Sequence, residues 1–271
     1  MSNEPQNAAY YVDAEIVGLR ELAPAYFELR VLAPDIARLA RPGQFAQLRV
    51  GQTGSIDPLL ARPISISHAD RASGEVSFIF KVVGRGTAML AERAHNEHMV
   101  VLGPIGHPFE IPPAVTHLAL VAGGVGMPPL FFLAETLRRE YPEMAITLYY
   151  GGRTQDDLLL LPEWEALGIA RIVLATDDGS RGYHGLITEP LQCDLGQKSI
   201  DFLAGCGPRP MLRAVQKLAQ AAGIPGQLSL EARMACGVGA CLGCVCGTIS
   251  GHRRVCVDGP VFSLDEVTID D

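Results

Sequence analysis

No run of Lys and Arg occurs anywhere in the 271 residues, and 22 basic side chains are outnumbered by 30 acidic ones for a formal charge of −8. That balance offers no groove to a nucleic-acid backbone, and it suits small molecules and other proteins as partners. Charge is scarce altogether, at 19% of residues against 48% hydrophobic. Such a chain buries a substantial core, and disorder is not expected outside its termini. The stretch from Met1 to Tyr10 is polar and lacks a basic region followed by an apolar one, so no secretory signal is expected. A disulfide framework is missing too. The seven cysteines are odd in number and five of them fall between Cys236 and Cys256, which fits reduced thiols in a cytoplasmic protein. There is no internal repeat and no low-complexity segment.

A membrane-spanning run is absent for a more specific reason. Leu118 to Ala134 is 17 residues without a charge, at the lower edge of a span. Gly123, Gly124, Gly126, Pro128 and Pro129 interrupt its middle, and strand, turn and helix fit it better than one helix.

What is present begins with short β-type runs separated by turn residues: Tyr10 to Leu19, Tyr26 to Val31, Gln44 to Val50, Ile64 to Ser67, Glu75 to Val83 and Met99 to Leu102. They predict a small antiparallel barrel or sandwich, with one helix at Thr87 to Ala94. Prolines 108, 112 and 113 mark a boundary. Beyond it strands at Leu118 to Ala122, Ala145 to Tyr150, Arg171 to Thr176 and Ile200 to Ala204 alternate with helices at Pro129 to Arg139, Pro162 to Leu167 and Pro210 to Ala222. That alternation predicts βαβ units on a mostly parallel sheet. Residues 227–271 hold neither pattern for long. A segment of that size is near the limit where metal is needed for independent folding, and it is expected to dock on the rest. The fold class is therefore multidomain β plus α/β, divided as 8–110, 111–226 and 227–271.

The densest chemistry lies in that last segment. Cys236, Cys241 and Cys244 have the Cys-x4-Cys-x2-Cys spacing of plant-type [2Fe–2S] ferredoxins, and Cys256 supplies a fourth thiolate after eleven residues. Gly237, Gly239 and Gly243 between them suit a backbone that curls round a compact object and aims N–H groups at sulfur. Structural zinc is the alternative, although zinc sites use paired short knuckles and the second half here has only Cys256, with His252 before it. Cys246 is a spare thiol that could replace Cys244; Cys193 and Cys206 stand apart.

Two glycine turns follow strands and open helices. In Gly123-Gly124-Val125-Gly126-Met127-Pro128-Pro129 the glycines let backbone approach a phosphate at a helix N-terminus, and proline suits the first helical positions. The pattern is neither Gly-x-Gly-x-x-Gly nor a P-loop. Gly205-Cys206-Gly207-Pro208 repeats the arrangement, and two such turns at the C-terminal ends of parallel strands face one crevice, which favours a nucleotide site over a bare turn. In the barrel, Arg62-Pro63-Ile64-Ser65 sets a cation, a rigid turn and a hydroxyl side by side, and Gly84-Arg85-Gly86-Thr87, just ahead of a helix, could hold a second diphosphate.

Taken in order, these motifs resemble ferredoxin-reductase-like flavoproteins. Ser229-Leu230-Glu231-Ala232-Arg233-Met234-Ala235-Cys236 through Cys244, closed by Val255-Cys256-Val257-Asp258-Gly259-Pro260-Val261-Phe262, resembles most closely the electron-transfer subunits of bacterial NAD-dependent dihydroorotate dehydrogenases, over about Tyr10 to Phe262. The resemblance implies an N-terminal antiparallel barrel holding FAD, a parallel-sheet domain holding NAD and a C-terminal [2Fe–2S] segment. It implies that Arg62, Pro63, Ile64 and Ser65 line the flavin, with Gly86 and Thr87 nearby. Gly124, Gly126 and Cys206 would approach NAD, and Cys236, Cys241, Cys244 and Cys256 would ligate iron. It also implies a partner, the FMN-containing dihydroorotate dehydrogenase catalytic subunit of pyrimidine biosynthesis, in a heterotetramer of two of each. Electrons would pass from that FMN through the cluster and FAD to NAD⁺.

Residues alone leave the nicotinamide open, because Arg153 after the second strand of the sheet could meet a 2′-phosphate. Rival functions are the flavin and iron–sulfur subunit of a ferredoxin:NADP oxidoreductase, a hydrogenase or a sulfide-linked reductase, and a zinc-stabilised binding module without activity.

Overall fold

Alternation of inward and outward side chains closes the first hundred residues into a barrel. A computed structural model describes residues 9–51, 57–197 and 199–269, so the polar N-terminal stretch lies, up to residue 8, outside the described residues. The barrel strands are β1 (Tyr10–Ala23), β2 (Tyr26–Leu32), β3 (Phe45–Leu48), β4 (Arg62–Asp70), β5 (Glu75–Lys81) and β6 (His98–Ile105), closed in the order β1-β2-β5-β4-β3-β6. Ala14 and Ile16, Leu29 and Val31, Ala46 and Leu48, and Phe78 and Phe80 point into one buried core, each pair two residues apart as a pleated strand requires. β3 is buried on its outer face as well, where Phe45 and Gln47 are 4% and 3% exposed. The C-terminal segment covers it there.

Two helices accompany the barrel, α1 (Pro34–Leu39) and α2 (Arg85–Ala91). α1 was not expected, since six residues with only Ile36 and Ala37 buried are too few to show a helical period. α2 begins and ends before the expected Thr87 to Ala94. The Thr87 hydroxyl accepts from the N–H groups of Val83 and Gly84, at 2.9 and 3.2 Å, and this bonding fixes the helix start upstream of Thr87.

The apolar run at Leu118 splits as its glycines and prolines demand. It becomes β7 (His117–Gly123), a 3-10 turn (Gly124–Gly126) and α3 (Met127–Glu140), with Pro128 and Pro129 in the first turn where a missing N–H costs nothing. Among the described residues, no helix is long and apolar enough to cross a membrane. There follow β8 (Ala145–Gly152), α4 (Leu161–Ala166), β9 (Arg171–Thr176), β10 (Tyr183–His184), α5 (Thr188–Leu195), β11 (Phe202–Cys206), α6 (Arg209–Ala222) and β12 (Gly226–Ser229). β7 carries the two-layer pattern: Leu118, Leu120 and Ala122 face α3 and the fully buried Trp164, while Ala119 and Val121 face α6. Phe131 meets Trp164 edge-on at 5.0 Å, a pairing worth about 1 kcal/mol beyond area burial.

The closing segment is β13 (Val245–Thr248), β14 (Gly251–Arg254), β15 (Val261–Ser263) and β16 (Val267–Thr268). β12 starts at Gly226, across the expected division, and β15 pairs antiparallel with it. The main sheet thereby has seven strands, β10-β9-β8-β7-β11-β12-β15, and the other three form β14-β13-β16. Strands of two to four residues leave no periodicity to read. Gln216 of α6 pins the segment down, its carboxamide nitrogen donating to the carbonyls of Leu264 and Val267 at 2.6 and 2.8 Å. Each such bond, buried at both ends, contributes about 1 kcal/mol net and costs more if left unmade.

Candidate functional site

In the sheet order, β8 and β9 lie on one side of β7 and its parallel neighbour β11 lies on the other, so the order in which strands are added reverses between β7 and β11. Crevices at such a point bind ligands at the strands' C-terminal ends. The two glycine turns meet here. A methyl on Gly126 would lie 2.5 Å from the Cys206 carbonyl oxygen and 2.7 Å from the Gly207 Cα, so only glycine permits the approach. Gly124 has φ +50°, and nothing stands within 4 Å of where its Cβ would be. That open space above a glycine turn at a helix N-terminus is what a diphosphate requires.

A cleft of about 600 Å³ opens from this turn, lined by Gly124, Gly126, Arg153, Asp177, Thr188, Gly207 and Pro208, and by Tyr26 and Lys81 from the barrel. Of the residues read from the sequence as facing it, Gly124 and Gly126 do line it. Cys206 does not; its side chain is 2% exposed, packed in the core, and burial pushes its thiol well above the usual range.

A second cavity of about 290 Å³ lies against β4 and is lined by Pro63, Ile64, Ser65 and Thr87, together with Phe45, Val125, Glu231 and Met234. Its walls come from the barrel, the glycine turn and the chain leading to Cys236. Apolar walls with a few hydroxyls suit a planar ring system. Arg62 stands at its edge, its guanidinium occupying the space a Gly86 side chain would fill. The Thr87 hydroxyl is engaged in capping α2, donating to the Gly84 carbonyl at 3.0 Å, which leaves the backbone of this turn as the donor to a phosphate.

Glu231, which the sequence marks only as one residue of the run from Ser229 to Cys244, lines both cavities. The protein around it desolvates its carboxyl and raises its pKa. No local pattern announces this role, because the two walls it joins are distant in the chain.

The four candidate thiols lie in a loop and the strand ends that follow it. Gly237 and Gly239 have φ of +71° and +79°, and Leu242, where no glycine signals it, has +56°. These left-handed residues turn successive N–H groups inward: Val238 and Cys241 donate to Cys236 Sγ and Gly243 donates to Cys241 Sγ, each at 3.4 Å. The bonds from Val238 and Cys241 hold the Cys236 thiol down at about 7. The thiols stand as two pairs, Cys236 within hydrogen-bonding reach of Cys241, and Cys256 of Cys244. Burial and the neighbouring Cys244 push Cys256 up to about 12. Among the described residues, no group of three or more His, Cys, Asp or Glu is placed to hold a metal ion. Two thiol pairs, with N–H donors on Cys236 and Cys241, fit a two-iron cluster, in which each iron takes two thiolates. Cys246 is 5% exposed on β13 and packs in the core that α6 and the closing strands share.

Barrel, glycine-turn sheet and thiol loop together define a flavoprotein reductase of the ferredoxin-reductase type carrying an iron–sulfur segment. Residues 231–268 match the iron–sulfur cluster binding domain of dihydroorotate dehydrogenase B, and residues 120–217 match an oxidoreductase NAD-binding domain. The chain is 38% identical over 255 residues to the dihydroorotate dehydrogenase B (NAD(+)) electron transfer subunit of Desulforamulus reducens, covering 92% of this chain and 95% of that one. It is 38% identical over 261 residues to the subunit of the same name in Bacillus caldolyticus, covering 94% and 97%. The chain belongs to the dihydroorotate dehydrogenase B electron transfer subunit family. Among solved structures, an NADH-dependent reduced ferredoxin–NADP oxidoreductase superimposes with a TM-score of 0.84 at 29% identity, covering 96% of this chain and 91% of that one. The ferredoxin reductase of carbazole 1,9a-dioxygenase, with a TM-score of 0.67 at 23% identity over 81% of this chain and 68% of that one, shares the fold.

Proposed function

We propose that this chain is the electron-transfer half of a two-subunit dihydroorotate dehydrogenase. It takes electrons from an FMN-containing catalytic subunit through a [2Fe–2S] cluster and FAD, and delivers them to NAD⁺. One observation carries the reading: Met234, two residues before Cys236, lines the same cavity as Pro63, Ile64, Ser65 and the glycine-turn residue Val125. The three cofactor sites therefore share walls, as a relay needs.

FAD supplies the carrier that exchanges a hydride with nicotinamide and single electrons with a cluster. The chain's own residues position and insulate. Pro63, Ile64 and Ser65 form the flavin wall, with Arg62 and the turn at Gly86 and Thr87 at the phosphate end. Gly124 and Gly126 admit the dinucleotide backbone, and Cys206 behind them fills the end of β11 with a neutral side chain. Cys236, Cys241, Cys244 and Cys256 hold the iron, and the N–H groups of Val238, Cys241 and Gly243 disperse charge on sulfur. Val238 and Leu242, 54% and 61% exposed on the thiol loop, give the partner subunit an apolar landing next to the cluster.

The proposal assigns 8–110 to FAD, 111–226 to NAD and 227–271 to the cluster, places the complex in the cytoplasm and makes it a heterotetramer of two of each subunit. The test is purification from the native cell with identification of the bound chain and a visible spectrum. Flavin and iron–sulfur absorption with a dihydroorotate dehydrogenase catalytic subunit is the expected result. A different partner, such as that of a ferredoxin:NADP oxidoreductase, removes the dihydroorotate assignment. Zinc in place of flavin and iron removes the redox reading.

A further inference from the structure

Gln47 sits at the junction of the flavin cavity and the thiol loop with nothing to bond. It is 3% exposed, and both its Nε2 and its Oε1 are buried without a partner. Among the described residues it is the only side chain with two such atoms. Burying a carboxamide unsatisfied is costly, so a group of this kind marks a missing partner.

Its position says which partner. Ala46 and Leu48 point into the barrel core, so Phe45 and Gln47 point out from β3. Across the β3–β4 ladder, Phe45 lies opposite Ser65 and Gln47 opposite Pro63, and Phe45, Ser65 and Pro63 all line the flavin cavity. On its other side Gln47 abuts the thiol loop. A Cβ on Gly237 would fall 2.8 Å from Gln47 Cγ and 3.0 Å from Nε2. The carboxamide thus lies against the residue that follows Cys236, and it carries two N–H donors. Among the described residues, the N–H groups that donate to Cys236 and Cys241 sulfur come from the loop backbone.

We infer that Gln47 is a positioning residue for the cluster, donating a side-chain hydrogen bond to a sulfur on the Cys236 side of the bound [2Fe–2S] group. The inference rests on the reading of Cys236, Cys241, Cys244 and Cys256 as its ligands. An N–H bond to cluster sulfur favours the reduced, more negative state and so raises the reduction potential. Gln47 reaches from the flavin wall to the cluster loop, and it sets how the electron divides between the two carriers.

The test compares full-length wild-type holoprotein with Gln47→Met and Gln47→Glu in redox titrations followed by electron paramagnetic resonance, with iron, sulfide and FAD content measured on each. Gln47→Met keeps the volume and removes the donors. Its cluster is expected to be reduced at a lower potential, by about tenfold in the one-electron equilibrium or about 59 mV, with the FAD potential unmoved. Equal potentials in wild type and Gln47→Met, with clusters intact, overturn the inference. Should Gln47→Met fail to hold iron, Gln47→Glu decides. An ionised carboxylate only accepts while its protonated form donates, so the cluster potential of this variant must rise as pH falls more steeply than in wild type, and parallel pH profiles overturn the inference. A wild-type protein without iron and sulfide removes the ligand reading and this inference together, an outcome distinct from the failure of Gln47 alone.

Discussion

Lys81, the last residue of a barrel strand, places its Nζ 2.9 Å from the Asp157 carboxylate of the parallel-sheet domain and 4.5 Å above the Tyr26 ring. Tyr26 also donates to Asp157, and the Arg153 N–H donates to the carboxylate's other oxygen at 2.9 Å. The barrel is thereby tied to the sheet domain beside the nucleotide cleft. Burial pushes the Asp157 carboxyl up, but the bonds from Tyr26, Lys81 and Arg153 outweigh it and hold it at about 2. A carboxyl depressed in the folded state stabilises above its unfolded pKa, and that stabilisation is lost as pH falls from about 4 through about 2. Asp157→Asn is expected to lower unfolding free energy at pH 7 by about 2 kcal/mol and to flatten the acid limb of stability, as read by denaturant melts across pH.

A second tie between the domains has the opposite pH sign. His68 Nδ1 on β4 lies 2.7 Å from the Glu135 carboxylate on α3. The hydrogen bond to Glu135 raises the His68 pKa, burial opposes it, and Asp70 and Glu28 add to the rise. A histidine raised by folding stabilises fully below its unfolded value near 6.5, and the contribution disappears as pH climbs through the folded value. Thermal midpoints of wild type should therefore fall relative to His68→Gln as pH rises above about 6.5, with the two converging at high pH.

Gly86→Ala would set a methyl into the space that the Arg62 guanidinium occupies. Arg62 must then leave its place against the turn that opens α2. FAD affinity should weaken at least tenfold, about 1.4 kcal/mol, in titrations of apoprotein with FAD, with the fold kept by circular dichroism.

Cys241→Ser should lose iron and sulfide, because Cys241 is both a paired thiol and an acceptor of the Gly243 N–H. Cys246→Ser should retain both, since that thiol packs in the strand core. Metal analysis and the visible spectrum check the pair, and the reverse outcome means that the ligand set includes Cys246.

Beyond the ends of β8 and β9 the nucleotide cleft is lined by Arg153 and Asp177. Arg153 is held to Asp157 at 4.0 Å, while Asp177 follows β9 and lines the cleft. A carboxylate there accepts from a ribose hydroxyl and repels a 2′-phosphate. NADH should be preferred to NADPH in kcat/KM, and Asp177→Ser should narrow the ratio about tenfold; a wild-type preference for NADPH overturns the assignment of NAD.

Much of this molecule was legible before folding, and the reasons are local. The thiol spacing speaks within nine residues because a cluster needs its ligands on one short loop, and the left-handed φ of Gly237 and Gly239 is the backbone that such a loop demands. Glycine and proline at the ends of β7 and β11 announced their turns in the same way. β9 was read at its observed bounds, Arg171–Thr176, since its run of β-branched and apolar residues is bracketed by turns. α1, α5 and the short strands from β12 onward were missed, because six or eight residues with two buried positions carry no period, and a strand of two to four carries none at all. Only the tertiary structure decided that Lys81 meets Asp157, that Glu231 faces two cavities, and that Gln47 lies against Gly237. Those contacts join residues dozens to nearly two hundred positions apart, and no window of sequence holds both partners. Closing the barrel and docking the final segment upon it is what brings them within bonding distance.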